Sequence, residues 1–165
     1  MRTGFTIIEL MTTLVILGIL IAVAIPSFND LVVGTRIKGA ASDIYASLTL
    51  ARSEAIKRNT NVTVGPVTSG GLWANGWEVK VGATVLATHA ALSNLKVECP
   101  AATACTQTLT YARSGRLTSG SVALSVDLAS PPTPRRVPMR CVNVNLSGRV
   151  NVAADNNLVG DCTNG

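Results

Sequence analysis

Hydrophobic positions along this chain follow three different rules. From Leu10 to Ile25 no residue is charged, and a helix drawn through the run is apolar all round. The stretch Phe5 to Phe28 holds 24 residues. As an α-helix it is about 36 Å long, enough to cross a hydrocarbon core of about 30 Å. From residue 37 the pattern narrows to a stripe: Ile37, Ala41, Ile44, Leu48, Ala51 and Ala55 recur at steps of four and three, which puts them on one helical face. Arg36, Asp43, Arg52, Glu54, Lys57 and Arg58 mostly avoid that face, and Glu54 can pair with Arg58 one turn on. Asn59-Thr60-Asn61 reads as a stop.

Beyond Asn61 the period becomes two. Val62 and Val64 alternate, as do Trp77, Val79 and Val81, then Leu95 and Val97, and Leu109 with Tyr111. Val122, Leu124 and Val126 continue the pattern; Val142, Val144 and Leu146, then Val150 and Val152, complete it. Such short alternating runs predict antiparallel strands with one buried face. Gly65-Pro66, Ser69-Gly70-Gly71 and Ser114-Gly115 read as turns, and Pro131-Pro132-Thr133-Pro134 as an exposed loop. The expected fold is α+β: one long helix from Phe5 to near Asn59, its second half packed on a mostly antiparallel sheet. The divisions are residues 1–4 as a leader, 5–28 as a membrane-spanning segment, 29–60 as its amphipathic continuation and 61–165 as a β-rich head.

Composition adds little to fold but bounds the chemistry. Apolar residues make up 47% and charged residues 14%, with a formal net charge of +5. Arginine outnumbers lysine 10 to 4. Between Thr106 and Ala154 lie six arginines, Arg113, Arg116, Arg135, Arg136, Arg140 and Arg149, against one acid, Asp127. Arginine suits phosphate because its planar fork donates two hydrogen bonds. The lone histidine, His89, has no partner pattern near it, and no nucleophile motif, P-loop, calcium loop or zinc ligand set is present. No cofactor, metal or catalytic residue is therefore expected.

Four cysteines, Cys99, Cys105, Cys141 and Cys162, follow an N-terminus that indicates export, which favours disulfides over buried thiols. Three connectivities are open. The local one, Cys99–Cys105 and Cys141–Cys162, is expected because Cys99-Pro100 to Cys105 encloses a short turn of small residues.

The N-terminus carries the sharpest signal. One basic residue, Arg2, precedes the apolar run, but the leader is short and no small-x-small site follows the run. Glu9 sits inside that run, and a carboxylate in an apolar segment is costly unless it has a partner. A cut after Gly4 would place the new Phe5 amine about one turn from Glu9, or beside the Glu9 of a neighbouring subunit.

Gly4-Phe5-Thr6-Ile7-Ile8-Glu9 resembles the processing motif of type IV pilins and type II secretion pseudopilins. The resemblance implies a prepilin peptidase that cuts between Gly4 and Phe5 and methylates Phe5. It implies that Glu9 neutralises the N-terminus of an adjoining subunit during assembly. Pro26 stands where pilin-like proteins carry a proline, and is expected to bend or locally unwind the helix. The run from Leu50 to Asn59 and Gly76-Trp77-Glu78-Val79 resemble the FimT/FimU-type minor pilins and, more widely, the GspH/FimT group. Some FimT-like pilins bind DNA in natural transformation through Gly-Arg-x-Arg; Gly148-Arg149-Val150-Asn151 keeps the first arginine and has Asn151 at the second.

The implied function is a minor type IV pilin, anchored in the inner membrane with its head in the periplasm and then assembled into a filament in a priming or tip position. The rivals are an H-type pseudopilin of type II secretion and a pilin that binds double-stranded DNA without sequence preference. The implied partners are other pilin or pseudopilin subunits, the prepilin peptidase and the membrane.

Overall fold

The computed structural model describes Gly4 and residues 6–99, 103–118, 120–160 and 162. One helix, α1 (Ile7–Arg58), runs for 52 residues, about 78 Å. The helix continues through Pro26. Thr6 caps the start, its Oγ1 accepting from the Glu9 amide at 3.3 Å; Thr6-x-x-Glu9 has the spacing of a capping box. Asn59 ends the helix in the left-handed region (φ 51°), its amide bonding back to the Ala55 and Ile56 carbonyls. Asparagine tolerates that geometry better than most residues.

Nine strands follow among the described residues: β1 (Val62–Pro66), β2 (Trp77–Val81), β3 (Thr84–His89), β4 (Leu95–Cys99), β5 (Thr103–Ala104), β6 (Leu109–Tyr111), β7 (Val122–Leu128), β8 (Arg140–Val144) and β9 (Val150–Ala154). They form two antiparallel sheets, ordered β3-β2-β1-β6 and β5-β4-β7-β8-β9. α1 lies against both, touching β1, β2 and β6 of one and β7, β8 and β9 of the other. The predicted stripe Ile37, Ala41, Ile44, Leu48, Ala51 and Ala55 is buried, joined by Ala40. The inward residues Val62, Val64, Val79, Leu109, Tyr111, Leu124, Val126, Val142 and Val144 complete the core.

Three expectations need correction. Gly65-Pro66 is no turn; it is the buried end of β1. Proline is tolerated there because β6 pairs only with Val62–Val64, so no amide is needed on that side. Leu146 lies past the end of β8 and is exposed. His89, read as partnerless, closes β3, a strand the alternation did not reveal. Its ring stacks on Trp77, centroids 3.9 Å apart and planes 3° from parallel, and its Nε2 lies 3.0 Å from Asp43 Oδ2 on α1. Gly76 permits this approach: at φ 102° it lies where a Cβ would come within 2.7 Å of the His89 carbonyl. Trp77 Nε1 donates to Ser47 Oγ at 2.9 Å and Trp73 Nε1 to the Gln107 carbonyl at 2.8 Å, so both buried indoles are satisfied.

The structure joins Cys99 to Cys105 and Cys141 to Cys162. The second bond ties Cys162 of the C-terminal segment to buried Cys141 on β8, next to the outer strand β9.

Candidate functional site

Two regions carry the candidate residues. The first is the free arm of α1. Phe5 lies outside the described residues; Gly4 is exposed and has open space around it. Glu9 is exposed in the first turn, flanked by Ile7, Ile8, Leu10 and Met11, all more than half exposed. The exposed apolar side chains continue through Leu14, Ile16, Leu20 and Ile25 to Phe28 and Leu31. An apolar surface of this extent is unstable in water and calls for lipid or other chains around it. The segment is long and apolar enough to cross a membrane. Thr12 and Thr13 lie within it, but their hydroxyls donate to the Glu9 and Leu10 carbonyls at 3.0 and 2.8 Å. Their hydrogen bonds are already made, which lets them enter an apolar medium. Glu9 is the ionisable group left in the segment Ile7–Phe28.

The second region is the arginine surface, and the structure divides it. The turn at residues 112–116 closes through the Ala112 amide on the Arg116 carbonyl, and the turn at residues 145–149 through the Asn145 amide on the Arg149 carbonyl. A bond from the Leu117 amide to the Leu146 carbonyl, 3.2 Å, ties the two turns together. Gly148 (φ 77°) is buried where they meet, and a Cβ there would fall on the Gly115 carbonyl oxygen. The glycine of Gly148-Arg149 is thus required by close backbone approach. Arg113, Arg116 and Arg149 are exposed on these abutting turns. Asn151, also exposed, lines one cleft of about 330 Å³ with Arg149, Asn143, Asn145 and Val150.

Beneath the turns lie Arg52 of α1 and Tyr111 of β6. The Arg52 Nε and the Tyr111 hydroxyl are buried without a hydrogen-bond partner among the described residues. Burial pushes the Tyr111 phenol up to about 12, against the pull of the Arg52 charge. Close by on α1, the hydrogen bond from Arg58 holds the Glu54 carboxyl below its ordinary value, helped by the charges of Arg58 and Lys57.

Arg135, Arg136 and Arg140 are elsewhere. They occupy the loop after β7 and the start of β8, where Val137 faces Gly34 of α1 so closely that a Cβ on Gly34 would lie 3.4 Å from Val137 Cγ1. Gly115, by contrast, adjoins Arg52 and Ile56. Along α1 these points lie 18 to 22 residues from Gly34, about 27–33 Å. Arg135 is committed to an ion pair with buried Asp127. Sequence reasoning could not make this division, because all six arginines lie close together along the chain.

Comparison with known proteins gives consistent matches. The family model described as type II transport protein GspH matches residues 40–148. That of the prokaryotic N-terminal methylation motif matches residues 1–25. A fimbrial protein of Pseudomonas aeruginosa is 43% identical over 56 residues, 34% of this chain and 36% of that one. The type IV major fimbrial protein FimA of Dichelobacter nodosus is 33% identical over 99 residues, 59% of this chain and 61% of that one. The chain thus spans about a third to three fifths of the length of the curated relatives it matches. Among solved structures, the type IV minor pilin FimU of Pseudomonas aeruginosa aligns with a TM-score of 0.60 at 19% identity, covering 74% of this chain and 94% of that one. The minor pseudopilin EpsH of the type 2 secretion system of Vibrio cholerae gives 0.54 at 15%, covering 73% and 98%. At these identities the structural likeness carries the fold alone.

Proposed function

Because this chain belongs to the GspH family of pilin-like proteins, we propose that it is a minor type IV pilin, cut between Gly4 and Phe5 by a prepilin peptidase and methylated at Phe5. The family is structural, not enzymatic. In this reading residues 1–4 are the leader, 5–28 the span, 29–60 its continuation into the head and 61–165 the periplasmic head. The subunit waits in the inner membrane and then enters a pilus, with Glu9 facing the free amine of a neighbour. The observation that carries the proposal is the methylation motif at the root of a helix whose apolar side chains stay exposed beside a folded head. Mass spectrometry of membrane-derived protein tests it. The expected N-terminus is Phe5 carrying one methyl group; an intact Met1 in cells with active peptidase overturns it. A deletion strain separates the two filament systems: loss of pili is expected, and loss of protein secretion with normal pili would assign the chain to type II secretion instead.

A second reading, non-specific binding of double-stranded DNA by the head, is favoured by Arg113, Arg116 and Arg149 on abutting turns. Phosphate contacts release counterions, so affinity should fall with salt at a log–log slope of roughly −0.9 per contact. Arg149→Gln should weaken binding, and Asn151→Arg should strengthen it by adding charge to the same cleft. No binding at low salt would leave these arginines as a solvated face.

A further inference from the structure

The charges of the head are unevenly matched. Among the described residues Asp43 meets His89, Glu54 meets Lys57 and Arg58, Glu78 meets Lys80, Glu98 meets Lys96, and Asp127 meets Arg135. The cations left over include Arg36, Lys38 and Arg136, all exposed. These three share one end of the head. Val137, next to Arg136, faces Gly34, and Lys38 lies one turn beyond Gly34 on the same helical face. Arg36 emerges on the other side of buried Ile37. Two acids lie near these cations and offset part of the charge: Asp30, half-buried, and Asp43, which lines a cleft with Arg36 and is paired with His89.

This end of the head adjoins the apolar arm. Arg36 is eight residues past Phe28, about 12 Å along the axis. Side chains on a helix lean toward its N-terminus, which here is toward the apolar segment. A long basic side chain therefore reaches back into the layer of about 6 Å that headgroups occupy outside the hydrocarbon core.

We propose that Arg36, Lys38 and Arg136 form a basic collar that binds anionic phospholipid headgroups while the subunit waits in the bilayer. The inference rests on the reading of α1 as a membrane anchor. The collar holds the head down on the membrane surface, with the loop at residues 129–139 lying against the headgroups. It gives these cations a role distinct from the Arg113, Arg116 and Arg149 group at the far end of the head.

The test uses the full chain carrying an environment-sensitive dye on a non-natural side chain at exposed Thr133. It is reconstituted in vesicles of phosphatidylcholine alone, or with about 30% phosphatidylglycerol, each with a headgroup-linked quencher. Quenching should be about threefold stronger in the anionic vesicles and should fall toward the neutral level at about 0.5 M salt. The variant R36Q/K38Q/R136Q, which removes no ion pair among the described residues and should leave the melting temperature unchanged, should remove the difference. Equal quenching in both vesicles, or a difference that survives in the variant, overturns the collar while leaving the anchor in place. A chain that fails to float with either vesicle overturns the anchor reading and the collar with it.

Discussion

At Tyr111 a single hydroxyl makes the fold sensitive to alkali. It is buried against Arg52 with no partner among the described residues, and burial holds its phenol neutral up to about 12. An unfolded tyrosine ionises near 10. Above that pH the unfolded chain therefore binds fewer protons than the folded one, and stability falls as pH rises from about 10 toward 12. Tyr111→Phe should abolish the part of that loss due to this group. At neutral pH the substitution should be neutral or stabilising, because it removes an unsatisfied polar group costing about 1–3 kcal/mol. Urea titrations at pH 7 and 11 measure both effects; a Tyr111→Phe protein clearly weaker at pH 7 would mean that the hydroxyl has a partner after all. Glu9 stands at the opposite extreme, exposed and surrounded by exposed apolar side chains. Glu9→Ala should leave insertion intact, since the segment becomes more apolar. Incorporation into filaments should drop, because a buried amine loses its counter-charge. Immunoblots of sheared filaments beside wild-type subunits read this out, and normal incorporation would remove Glu9 from assembly.

At the scale of the element, α1 is one helix serving two environments. Its arm is apolar all round, whereas residues 37–55 bury only one stripe, rich in alanine. Small side chains let the helix lie close to both sheets, and Ile44 and Leu48 fill the middle of the contact. Ile44→Ala should cost about 2–5 kcal/mol, since fully buried aliphatic truncations leave a cavity. The denaturation midpoint of the chain measures this, and a loss below about 0.5 kcal/mol would mean that the seam repacks freely. The strand β3 shows the other side of element-level reasoning. Thr84, Val85 and Thr88 are exposed and Leu86, Ala87 and His89 half-buried, so no clean inward row marks it. It exists because β2 offers an edge and Gly82, at φ 57°, turns the chain back.

Across the whole molecule, the disulfide between Cys141 and Cys162 ties the C-terminal segment to the sheet. It closes a loop of sequence separation 21, for which loop entropy predicts about 3 kcal/mol. Replacing both cysteines by alanine should lower stability by about 2–4 kcal/mol and speed hydrogen exchange at residues 155–160, where Asp155 Oδ2 holds the Gly160 amide at 2.7 Å. Unchanged exchange there would mean that this hydrogen bond and its neighbours hold the segment unaided. The two ends of the head differ in chemistry as well as position. One bears arginines on paired turns, the other bears cations beside the apolar arm, and α1 spans the distance between them.

Much of this was legible in the residues themselves, and the legible part is local. A helix stripe is written at steps of three and four, so Ile37 to Ala55 could be assigned without knowing what they pack against. Seven of the nine strands are written at steps of two. The N-terminal methylation motif is contiguous, and Cys99 and Cys105 are close in sequence. What the tertiary structure decided depends on which distant segments meet. His89 gained Trp77 and Asp43 because β3 folds beside β2 and α1 crosses both. The six arginines, close in sequence, were sent to opposite ends of the head by the antiparallel run of β8, which carries the chain from Arg140 at one end to the Arg149 turn at the other. Periodicity records burial, which each residue experiences alone; strand order and register are properties of pairs far apart in the chain, and no local pattern encodes them.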